Sequence, residues 1–137
     1  MNIERVNKHW PEALGIVRFV VGLLFLEHGS SHLLGFPPSA NQPPPIMTLM
    51  WFQGAIELVG GLLLAVGFLT RPVAFILAGD MAVAYFMVHA PRSFFPILNG
   101  GDDAILYCCL FLLIFVAGPG RWSLDGAYLQ NAVPQTS

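Results

Sequence analysis

A glutamate inside a membrane-length apolar run is the feature that most restricts what this chain can fold into. Glu57 lies in the stretch from Gly54 to Arg71, GAIELVGGLLLAVGFLTR, followed by a glycine pair and closed by a basic residue. Equally apolar segments flank that stretch. A mean hydropathy of +0.67, with 10% charged residues against 55% hydrophobic ones, is far from a soluble domain, in which about a quarter of residues are charged. The solvent for most of the chain is therefore lipid, and a carboxyl there needs a partner or a purpose.

Four spans are expected. Span one runs from Ala13 to about Leu34, long enough as a helix to cross roughly 30 Å of hydrocarbon. Arg5 and Lys8 precede it as they would a signal peptide, but the run is too long and no small-residue cleavage pattern ends it, so it is read as a mature span. The segment GFPPSANQPPPI holds five prolines and must be a loop. Span two runs from about Met47 to Leu69 and turns at Thr70-Arg71-Pro72 into span three, Val73 to His89. A second loop, APRSFFPILNGG, leads to span four, which opens on Asp102 and Asp103 where carboxylates suit a helix N-terminus. It ends at Ala117 before Gly118-Pro119-Gly120. Residues from Arg121 onward have too little apolar content to form anything further. The expected fold is an all-α four-helix transmembrane bundle, a single domain over 1–125 with a short polar tail over 126–137.

Four spans leave both termini on one side, together with Arg5, Lys8, Arg71 and Arg121, while Arg92 alone lies on the other. The positive-inside rule then places the termini in the cytoplasm. Trp10, Trp122 and Trp51 fit interfacial belts. A net charge of -2 without a Lys/Arg cluster argues against nucleic acid as a partner. Membrane lipid, and either a protein partner or a second copy of the chain, are the expected partners.

On a helical wheel Arg18, Gly22, Phe25, His28, Gly29 and His32 share one face of span one, with Glu27 opposite; in span two Glu57 lies on the face of Gln53, Gly54, Gly60 and Gly61. Glu57 is therefore expected to face protein. On the functional reading His28, His32 and Glu57 line a polar pocket with His89 and Asp102 at its mouth, able to hydrogen-bond a quinone and relay protons. On the structural reading Glu57 only bonds a histidine or serine across helices and holds the packing. His28 and His32, spaced i and i+4, lack a third ligand, so no metal is expected. Asp80, Arg18 and Arg71 are read as structural charges, Asp80 pairing with Arg18 or another polar group. The adjacent Cys108 and Cys109 read as small core residues. The chain has no haem-attachment motif, iron–sulfur cysteine set or nucleotide-binding glycine loop.

Arg18, His28-Gly29, Glu57 with Gly60-Gly61, GFLTR through Arg71, VHAPRSFFP around His89, NGGD from Asn99 and GPGRWSLD from Gly118 together resemble the DoxX family of small four-span membrane proteins. That family often has lysine where this chain has His32 and glutamate where it has Asp102. Its name comes from a subunit associated with thiosulfate:quinone oxidoreductase, so the resemblance implies an inner-membrane subunit linked to an oxidoreductase and the quinone pool. The rival reading is a non-catalytic anchor or assembly factor that docks a soluble enzyme.

Overall fold

The computed structural model describes residues 7–38 and 43–132, so Arg5 and the amides Asn41 and Gln42 lie outside the described residues. Within them every regular element is helical: α1 (Trp10–Leu34), α2 (Leu49–Val66), α3 (Thr70–Ala84), the short α4 (Pro96–Asn99), α5 (Asp102–Ala117) and α6 (Leu124–Ala132). α3 runs directly into a π-helical turn, Tyr85–His89. α1, α2 and α3 with its π turn are long and apolar enough to cross a membrane. α5 is as apolar, but its 16 residues rise about 24 Å.

Local chemistry explains the boundaries. Pro11 opens α1, where a missing N–H costs nothing, and Gly35 closes it in the left-handed region. The Thr48 hydroxyl caps α2 by accepting from the Trp51 N–H at 3.3 Å. Gly67, at φ 69°, ends that helix. Span two therefore stops three residues short of the expected Leu69, and α3 begins at Thr70 rather than Val73.

α1 packs most extensively on α2, and α3 on α5, with a thinner seam joining α2 to α3. Glycines set the first contact. A Cβ on Gly22 would sit 2.5 Å from the Ala65 nitrogen, and one on Gly29 would collide with the Leu58 backbone. Such close approach is how helices bind where lipid removes the hydrophobic drive. Ala74 and Ala78, about one helical turn apart on α3, are buried in the core with Leu77, Phe111 and Ile114.

The tail departs from expectation. Residues 124–132 form a helix, and the segment before it seals the end of the bundle where α1 begins and α5 ends. The Asp125 carboxylate accepts from the Leu69 and Thr70 N–H groups at 2.9 and 2.8 Å, capping α3 from 55 residues away. The weak apolar content of this segment hid the helix because its anchor is a polar cap, not a buried face.

Candidate functional site

Among the described residues, two buried charged side chains, Arg18 and Glu57, lie inside the bundle toward opposite ends. At the terminal end Arg18, 1% exposed, uses all five guanidinium N–H groups on backbone carbonyls. It donates to Leu64 and Ala65 in the last turn of α2, both at 2.6 Å, to Pro119 at 2.7 Å, to Trp122 at 2.8 Å and to Arg121 at 3.4 Å. Arg71 treats α5 likewise, donating to Phe115 and Val116 at 2.6 and 2.9 Å. Positive charge at carbonyl-rich helix C-termini opposes the macrodipole favourably. Arg121 closes the end through an ion pair with Glu12. Of the partners expected for Asp80, Arg18 is not the one: every Arg18 donor is spent on a carbonyl, because the α2 C-terminus and the Gly118–Ser123 segment converge on it.

Toward the other end, His32 Nδ1 meets Glu57 Oε2 at 2.8 Å. Antiparallel packing brings them together, because each Cα–Cβ bond tilts toward its own helix N-terminus. His32, in the last turn of α1, leans back into the bundle, and Glu57, about 12 Å along α2 from Leu49, leans toward it. Gly54 gives the room, since a Cβ there would be 3.1 Å from His32 Cβ. The Glu57 side chain is 3% exposed and that of His32 32%. Glu57 does face protein. Gln53, one turn earlier on α2, donates to its second oxygen at a long 3.4 Å.

The remaining predicted residues are placed apart from this pair. His28 is exposed, with Nδ1 donating to the Leu24 carbonyl at 2.9 Å. Its ring lies 6.5 Å from that of His32 and 6.4 Å from that of Tyr107, so it flanks the pair without bonding Glu57. His89 stacks on Tyr85 and donates to the Asn99 carbonyl at 3.0 Å. Asp102 is exposed at the start of α5. Asp80, by contrast, lies on the side of the bundle between α2 and α3. It shares an apolar groove of about 380 Å3 between α2 and α3 with Gln53. Among the described residues no three His, Cys, Asp or Glu side chains converge as a metal site.

Sequence reasoning passed over two residues. Asn99, 2% exposed, donates to the Ser93 carbonyl and accepts from the Gly101 N–H, both at 2.8 Å, and so organises the loop that holds His89. Gln53 was visible on the glutamate face, and its i, i+4 spacing to Glu57 was the available signal.

A family model described as DoxX matches residues 13–90. An uncharacterised protein of Haemophilus influenzae is 38% identical over 134 residues, covering 94% of this chain and 100% of the relative. An uncharacterised membrane protein of Mycobacterium tuberculosis is 30% identical over 142 residues, covering 84% of this chain and 80% of the relative. No solved structure matches the chain.

Proposed function

This chain belongs to the DoxX family of membrane proteins, and from that premise we propose that it is an inner-membrane subunit that binds quinone and serves an oxidoreductase complex. The observation that carries the reading is the His32–Glu57 pair, a carboxylate withdrawn into the bundle and joined at 2.8 Å to a half-exposed imidazole. A histidine oriented through Nδ1 by a carboxylate keeps Nε2 for a second partner, the arrangement used to hold and pass a proton.

The residues present fit a quinone. Its carbonyl oxygens need donors, which the His32 imidazole in its protonated form and the second N–H of the Gln53 amide can supply. Its ring and tail would need apolar walls, which Met50, Phe52 and Ile56 supply in the groove that Gln53 lines. The group itself supplies two-electron redox chemistry; the chain's part is to orient it and hold the proton at His32 and Glu57. Electrons come from a partner enzyme. In this reading α5 is the fourth span, and Lys8, Arg71 and Arg121 hold the terminal end in the cytoplasm.

The test is purification in mild detergent with quinone assayed by solvent extraction, alongside co-purification of a soluble oxidoreductase. Quinone is expected with the wild type and lost with Glu57→Gln and His32→Ala, with partner activity falling in step. A wild type free of quinone that still brings down a partner enzyme would overturn the redox reading in favour of an anchor. A cysteine introduced in the Pro43–Ile46 loop should react with an impermeant reagent from outside the cell; protection there refutes the orientation.

A further inference from the structure

α6 is held against the turn from α2 to α3 and leaves a gap beside it. The cavity there measures about 860 Å3, with Phe68, Arg71 and Pro72 on the side of the turn and Leu124, Tyr128 and Leu129 on the side of α6. Asp125 fixes α6 in this place, and its carboxylate is turned to the Leu69 and Thr70 N–H groups. The helix end is thereby satisfied, and the cation left in the cavity wall is the Arg71 guanidinium. α2 and α3, both long and apolar enough to cross a membrane, meet at this turn, so the cavity opens where the spans leave hydrocarbon for the headgroup layer.

Its two kinds of wall call for one kind of molecule. Leu124, Tyr128 and Leu129 are each more than half exposed. Arg71 is exposed as well and spends only Nη1 on the bundle, donating to the Phe115 and Val116 carbonyls. Nε and Nη2 make no hydrogen bond among the described residues, and these two nitrogens share the edge of a guanidinium that meets two phosphate oxygens at once. A soluble anion would satisfy that edge and leave the apolar side chains of α6 in water; an uncharged chain would cover them and leave the guanidinium without an acceptor. We infer that the cavity seats an anionic phospholipid of the adjoining leaflet, its phosphodiester on the Nε–Nη2 edge of Arg71 and the start of an acyl chain between Phe68, Pro72 and the apolar face of α6. The inference requires neither the redox reading of His32 and Glu57 nor the orientation of the termini.

The experiment places the full chain in nanodiscs of equal phosphatidylglycerol and phosphatidylcholine with matched acyl chains, one lipid and then the other carrying a photoreactive diazirine near the glycerol. Cross-linked residues are mapped by mass spectrometry. Phosphatidylglycerol should label Phe68, Pro72 and Leu124 about fivefold more than phosphatidylcholine, the preference one arginine at a membrane surface provides. Arg71→Gln should bring the ratio to about one. Because that change also loosens the clamp on α5, it is paired with Leu129→Asp, which leaves the clamp intact and should abolish the preference by setting a carboxylate beside the phosphate. Arg92→Gln, in the loop toward the other end of the bundle, should leave the ratio unchanged. Equal labelling of the wild type by the two lipids, or a preference that survives either Arg71→Gln or Leu129→Asp, overturns the proposal. So does loss of the preference on adding excess inorganic phosphate, which would assign Arg71 to a soluble anion, and so does label at the cavity that appears only when residues 133–137 are removed, which would give the place to the chain's own tail.

Discussion

Replacing Arg18 tests the account of how the terminal end is held. Its guanidinium fork meets five carbonyls, of which those of Leu64 and Ala65 belong to the buried last turn of α2. Arg18→Ala strands the Ala65 carbonyl at about 1–3 kcal/mol, while that of Leu64 keeps the Gly67 N–H at 3.1 Å and the loop carbonyls of Pro119, Arg121 and Trp122 can turn toward interfacial water. The expected loss is therefore about 1–3 kcal/mol for the acceptor, with the packing of the buried side-chain stem lost besides. Arg18→Lys keeps the charge but has three donors on one nitrogen and no planar fork, so it should retain the helix carbonyls at best and lose about 1–3 kcal/mol. Reversible unfolding in mixed micelles, titrated with a denaturing detergent and followed by tryptophan fluorescence, measures both. Arg18→Lys matching the wild type within about 0.5 kcal/mol would refute the fork argument. A second readout separates the clamp from an ion pair: Arg18→Lys and Asp80→Asn should add within about 0.5 kcal/mol, whereas coupling between them would revive the pairing set aside above.

Two further outcomes follow from the packing. Gly29→Ala drives a Cβ into the Leu58 backbone and should destabilise the protein by about 1–3 kcal/mol, whereas Gly79→Ala meets nothing within 4 Å and should be neutral or stabilising by up to about 1 kcal/mol; the same titration checks both, and equal effects would rule out glycine-mediated contact of α1 with α2. Asp125→Ala removes both cap bonds to α3 and should cost about 1–2 kcal/mol with Asp125→Asn between it and the wild type, read by the same titration and by faster proteolysis near Leu69; unchanged stability and cleavage would show that α3 needs no remote cap.

How legible the site was depended on the kind of constraint. The inward face of span one was readable because Arg18, Gly22, Phe25 and Gly29 recur at helical spacing, and all four are buried. His28 shares their projection yet is exposed, because it lies at the margin of the stripe, where the wheel does not tell which neighbour covers it. His89 escaped the wheel altogether: the π turn from Tyr85 breaks the 100° step on which the projection relies and sets the imidazole against Tyr85 and the α4 loop. Span limits were off by two or three residues where a cap, and not hydropathy, made the decision, as at Gly67 and Thr70.

What the amino-acid sequence determines unaided is the partition of the chain between lipid and water, since transfer of apolar segments into hydrocarbon is a local, additive property and prolines are kept out of helices beyond the first turn. It also requires that Glu57 face protein. The partner of each buried polar group was decided only by the tertiary structure. Arg18 finds carbonyls 46 to 104 residues away, Asp125 caps a helix 55 residues before it, and Glu57 takes His32 because antiparallel glycine packing tilts the two side chains toward each other. Such contacts depend on which backbones come within 3 Å of one another, and no local pattern in the chain encodes that.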